Sequence, residues 1–195
     1  MPQNKKTVGD GLREFYKDEA MELFRSNIDD YGFVERVIEH SNKLYIDTLE
    51  FEAFQNVLIF PWNSWRVFHH FQKKGQLTNS RKWSAMTISE IALKYEGSFE
   101  DMPEDEHKRN IENLKESIKS YGYMDRSRQL IFHEKKNRKV LYHADCAHRF
   151  IAYYILINKG LAAYKPLSCV YAEIDNVGDI LYSKANILRP TQSGI

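Results

Sequence analysis

The stretch from Leu130 to Ile174 places the tightest limits on the fold. Leu130-Ile131-Phe132 and Val140-Leu141-Tyr142 are short β-like runs on either side of the charged turn Glu134–Lys139, which is the pattern of a hairpin. The residues that follow predict a helix from about Ala147 to Asn158, closed by Gly160, and then a strand over Leu167–Ile174. Upstream, Met86–Ile91 alternates like a short strand. Pro103 sits at a favoured first helical position, ahead of Glu104, Asp105 and Glu106 in a positive first turn. The apolar face of that helix is Ile111, Leu114, Ile118 and Tyr121, and Gly122 stands where a helix stop belongs. A final helix is expected near Val177 to Leu188. Strand, helix, hairpin, helix, strand, helix is the order of a small layered α/β (α+β) domain.

The first part of the chain is less regular. Leu12, Phe15, Tyr16, Ala20, Leu23 and Phe24 fall at helical spacing within residues 10–26. From Val34 to Phe60 the pattern is mixed, and Lys43–Ile46 and Val57–Phe60 fit strands or buried helix equally. Pro61 ends whatever precedes it. Trp62, Trp65, Phe68 and Phe71 have the helical spacing of core packing, while His69-His70 lacks partners at metal-ligand spacing. A polar stretch from Lys73 to Arg81, with Gly75 and Asn79, reads as the seam. It divides a mainly helical N-terminal extension (1–85) from the layered domain (86–195).

Composition narrows the class. The 195 residues are 43% hydrophobic, with 9 Gly, 5 Pro and 2 Cys, which argues against disorder and against a disulfide scaffold. The longest apolar run, Phe150–Ile157, is far short of the roughly 20 residues that span a membrane. The N-terminus lacks the apolar core of a secretory signal, and two lone cysteines, Cys146 and Cys169, fit a reducing compartment. The expectation is a soluble cytoplasmic protein with no membrane partner. Charge is uneven: residues 1–60 carry 7 Lys+Arg and 12 Asp+Glu, a balance of −5, which leaves +6 for the remainder. Arg126–Lys139 holds six basic residues against Glu134 alone, either as a solvated hairpin or as a surface for nucleotide or nucleic acid.

The segment Tyr142–Ala152 carries the most chemistry. It leaves a strand and enters a helix with His148 and Arg149 in the first turn. There the unpaired N–H groups and the helix dipole attract anions. Arg can fork onto phosphate oxygens, and His can donate a hydrogen bond or a proton. The common phosphate loops, Gly-x-x-x-x-Gly-Lys and Gly-x-Gly-x-x-Gly, are absent.

Four stretches of the span Thr87–Pro190 together resemble the ParB/sulfiredoxin fold: Leu114–Gly122, Asp145–Ala152, Leu167–Ile174 and Asn186-Ile187-Leu188-Arg189. The second is similar to the Asp-Gly-x-His-Arg signature of the nucleotide-dependent free amino-acid kinases and to the Gly-Glu-Arg-Arg box of the partition proteins. The fourth is similar to the Glu-Asn-x-x-Arg box of the partition proteins. Departures define which branch is resembled. Cys146 replaces the signature glycine, and Ala147 occupies the place of sulfiredoxin's reactive cysteine. Ala185 and Ile151 replace a carboxylate and a basic residue of the partition proteins, and a following helix-turn-helix region is not expected. Sulfinic-acid repair and a partition-type clamp on DNA are therefore not expected.

The resemblance that remains implies a kinase using ATP, ADP or CTP with Mg²⁺ to phosphorylate the hydroxyl of a small acceptor. It implies catalytic roles for Asp145, Glu96 (as base) and His148, with Asp145 also the metal-associated carboxylate. It assigns nucleotide contacts to His148, Arg149, Asn113, Ser117, Asn186 and Arg189. The alternative is a DNA-binding or nuclease module that uses Arg126–Lys139. A third reading is a degenerate member of the fold whose acidic N-terminal part binds a protein.

Overall fold

A computed structural model describes residues 13–14, 16–25, 31–59, 86–101, 104, 106–123, 129–145 and 147–181. Strand β7 (Leu167–Ile174) is the spine of the molecule. It pairs antiparallel with β2 (Ser41–Leu49) from Ser41↔Ile174 to Leu49↔Leu167, and parallel with β5 (Gln129–Glu134). Around it runs one sheet in the order β1-β2-β7-β5-β6-β3-β4. The remaining strands are β1 (Arg13–Glu14), β3 (Leu58–Ile59), β4 (Met86–Thr87) and β6 (Asn137–His143).

Alternation along the central strands separates two cores. Leu130, Phe132, Val170, Ala172 and Ile174 point to one face, where Phe24 of α1 (Lys17–Arg25) and Phe33, Val34, Val37 and Ile38 of α2 (Tyr31–Glu39) cover them. Ile131, Leu141, Leu167, Cys169 and Tyr171 point to the other. That face is covered by α3 (Phe51–Gln55), α4 (Ile88–Gly97), α5 (Glu106–Tyr121) and α6 (Ala147–Asn158). The short α7 (Val177–Leu181) returns to the first face through Val177 and Ile180. The result is an α/β fold with helices on both sides of a mixed sheet.

Several expectations hold closely. The hairpin forms between β5 and β6, β7 has the expected bounds, and Gly122 and Gly160 follow α5 and α6 with φ of 76° and 68°. Cys169 is fully buried in β7, the small core residue its apolar strand suggests.

Two expectations are corrected. Met86–Ile91 is mostly helix: after two β residues Thr87 caps α4, its hydroxyl accepting from the Glu90 N–H while the Glu90 carboxylate accepts from the Thr87 N–H. Helix α5 starts at Glu106, later than the start expected at Pro103, which lies outside the described residues. The described part of the N-terminal region is mixed: beside α1, α2 and α3 it supplies β1, β2 and β3 to the same sheet as the rest. Trp62–Phe71, the seam at Lys73–Arg81, and residues 182–188 of the last expected helix fall outside the described residues.

Phe54 makes this union concrete. It is fully buried, and its ring meets Phe150 edge-on at 5.1 Å and Tyr153 at 5.8 Å, both on α6. Phe54→Ala is expected to cost about 3–5 kcal/mol. In urea unfolding followed by circular dichroism the whole chain should shift as one transition. A variant with a separate, unshifted transition would instead mark residues 86–195 as independent of the N-terminal strands.

Candidate functional site

Helix α6 fixes the site. Phe150, Ile151, Ala152, Tyr153, Tyr154, Ile155 and Leu156 are all buried, so its central turns are held on every side. Tyr153 ties down the loop after it, donating its hydroxyl to the Ala163 carbonyl and accepting the Lys165 N–H. β6 leads into the helix: the Ala144 N–H still bonds to the Leu130 carbonyl, Asp145 forms the bend, and α6 begins at Ala147. The first turn therefore presents His148 and Arg149, both half-buried, at a fixed place.

Helix α5 brings a second N-terminus to the same point. His107 in its first turn lies with Nδ1 2.9 Å from Nε2 of His148, the two rings nearly parallel at 16°. One nitrogen donates and the other accepts, so at least one of the two imidazoles is neutral. Two helix N-termini meeting at one point place their positive dipole ends together. Asp145 lies at the bend with only 6% exposure. His143, the last residue of β6, is equally buried beneath the turn, its ring edge-on to Phe150 at 5.0 Å.

The structure thus brings together Asp145, His148 and Arg149, and adds His107 and His143. It separates the other expected residues. Glu96 forms an ion pair with Lys159, just beyond the far end of α6. With a rise of about 1.5 Å per residue, Lys159 lies about 16 Å along the helix axis from His148. Glu96 is therefore not placed as a base at this turn. Instead it lines a cavity of about 320 Å³ with Tyr95, Phe99, Glu112, Lys115 and Lys159. There Glu112 accepts from Tyr95 Oη at 2.9 Å and holds Lys115 at 2.8 Å. Asn113 and Ser117 are exposed on α5, about 9 and 15 Å along its axis from His107. Asn186, Arg189 and Cys146 lie outside the described residues.

Within the basic stretch, Lys135, Lys136 and Lys139 are exposed on the hairpin. Arg138 is engaged by the buried Glu173 carboxylate at 2.6 Å, while Arg126 and Arg128 are outside the described residues. Among the described residues no group of three or more His, Cys, Asp or Glu side chains could hold a metal ion, and no helix is long and apolar enough to cross a membrane.

Two site residues escaped the reading of the sequence. With the helix start set at Pro103, His107 falls in the second turn rather than at the tip. His143 was legible only as the end of a β run, although the period of two puts it on the same face as Leu141.

Burial, reinforced by the nearby charges of His148 and Arg149, pushes the His143 imidazole down from its ordinary 6.5 to about 3. Between those values the unfolded chain binds a proton that the folded chain does not. Proton linkage at His143 therefore costs nothing above pH 6.5 and destabilises the fold increasingly as pH falls toward 3. The slope is up to about 1.4 kcal/mol per pH unit. His143→Gln cannot titrate, so the stability difference between wild type and variant should change by that slope from pH 6.5 to 4.5 in urea titrations. Parallel curves would contradict it.

No family model matches the chain, and no curated protein or solved structure matches it, so the site stands on its own residues.

Proposed function

We propose that the turn into α6 binds the phosphate groups of a nucleotide and that the protein transfers a phosphoryl group to the hydroxyl of a small acceptor. The observation that carries this reading is the meeting of the first turns of α5 and α6 through His107 and His148, with Arg149 beside them. The α6 N-terminus and the basic side chains favour an anion at that point, while the start of α5 carries Glu106 of its own. The resemblance to the ParB/sulfiredoxin fold adds the nucleotide and the kinase chemistry, which anion affinity by itself does not specify. ATP, ADP and CTP all satisfy the phosphate requirement.

Phosphoryl transfer asks mainly for positioning and charge neutralisation, and for a group that receives the acceptor proton. With Glu96 committed to Lys159, Asp145 is the carboxylate at the turn that supports the second role. The described residues offer no dedicated cage for Mg²⁺ at the turn; Asp145 with the phosphates themselves is the donor set an ion arriving with the nucleotide would meet. The exposed Lys135, Lys136 and Lys139 of the hairpin support the alternative, a nucleic-acid interface. Steep weakening of binding with salt would favour that alternative.

Two substitutions separate the readings. Arg149→Ala is expected to lower nucleotide affinity by roughly one to two decades in calorimetry, with the ligand-free fold retained. Asp145→Asn keeps size but removes charge, and should reduce Mg²⁺-dependent turnover at least ~100-fold while metal-free nucleotide binding holds or improves. Unchanged affinity in Arg149→Ala would overturn phosphate binding at this turn. Turnover surviving in Asp145→Asn would overturn the phosphotransferase reading.

A further inference from the structure

His143 is 6% exposed, and its Nε2 makes no hydrogen bond with any described residue. A buried nitrogen in that condition is destabilising, whereas an apolar ring in its place would keep the edge-on contact with Phe150 and lose nothing. Its position is specific. The side chain projects from the end of β6 under the first turn of α6, within the electrostatic reach of both His148 and Arg149. Strand, bend and helix thus set a polar atom beneath the N-terminal turn that carries His148 and Arg149.

We propose that His143 is a ligand-binding residue whose Nε2–H donates to a phosphate oxygen held at the start of α6. This assignment rests on the phosphate reading above and extends it from the rim of the turn to its floor. The chemistry suits an oxyanion. A neutral imidazole adds a directional donor without adding a further positive charge beside His148 and Arg149. It binds a phosphate oxygen as a fixed dipole, whereas Arg149 binds as a charge. Because Nε2 lies below the surface, side chains at the turn move when the oxyanion reaches it. The class of ligand is a phosphate ester or polyphosphate with an oxygen free to point inward.

The test uses the full chain, pyrophosphate and ATP as probes, and two variants. His143→Phe keeps a ring against Phe150 and removes the donor; His143→Gln keeps an N–H donor of similar reach. Calorimetry should show affinity for both probes reduced roughly tenfold in His143→Phe and largely recovered in His143→Gln. The ligand-free melting temperature of His143→Phe should equal or exceed that of the wild type. Wild-type affinity in His143→Phe would overturn the role of His143 and leave phosphate binding standing. Failure of the wild type to bind either probe would overturn the phosphate reading and this assignment together. Should His143→Phe not fold, side-chain nitrogen NMR of the wild type decides. A shift of the His143 Nε2 resonance on saturation with pyrophosphate supports the proposal, and an unmoved resonance overturns it.

Discussion

Burial of α6 on all sides is the constraint on which the rest depends. A helix with Phe150, Ile151, Ile155 and Leu156 fully buried cannot lie on a surface, so the sheet, α4 and α5 must close around it. Each of those side chains contributes on the order of 1.5–3 kcal/mol by leaving water. The N-terminal region completes the enclosure, with Phe54 against Phe150 and Tyr153 and with the Tyr164 hydroxyl donating to the Leu49 carbonyl. Fixing the helix also fixes both of its ends. One end presents His148 and Arg149 beside His107; the other presents Lys159 to Glu96.

This separation has chemical consequences. The basic groups and the helix N-termini gather at the Asp145 bend, while Glu96, Glu112, Lys115 and Lys159 neutralise one another around the cavity at the other end. Unlike charges paired within one small cavity leave little field to attract a polyanion. The Asp145 end gathers two helix starts, Arg149 and the imidazoles of His107, His143 and His148 around a buried carboxylate, with Glu104 and Glu106 at the start of α5. The site is therefore a product of packing, which puts two helix starts together, and not of a glycine-rich loop.

What could be read from the sequence was local. Strand β7, the β5–β6 hairpin and the glycine stops at Gly122 and Gly160 are written in patterns a few residues long, and the structure reproduces them. Met86–Ile91 alternates over too few residues to distinguish strand from helix, and the deciding signal was Thr87 with Glu90 three positions on, a capping box. Phe33, Val34, Val37 and Ile38 also sit at helical spacing, but in a stretch whose neighbours read as strand. The partner of β2 could not be read at all. Its pairing with β7 spans more than a hundred positions, and nothing local encodes it. At the site, Asp145, His148 and Arg149 were legible because they are contiguous with a strand-to-helix transition. His107 was not, since its role comes from packing α5 against α6, and Glu96 was misplaced because it lies in the last turn of α4, where only the packing of α4 against α6 decides which end of α6 it reaches.

The central claim is that a phosphate group sits at the joined starts of α5 and α6. The most direct measurement is a backbone and histidine NMR titration of the full chain with ATP. The account predicts saturable shifts concentrated at the amides of Ala147, His148 and Arg149 and at the rings of His107 and His148, with the Lys135–Lys139 hairpin unaffected. Shifts confined to that hairpin, or absent from the α6 turn at saturating nucleotide, would contradict it.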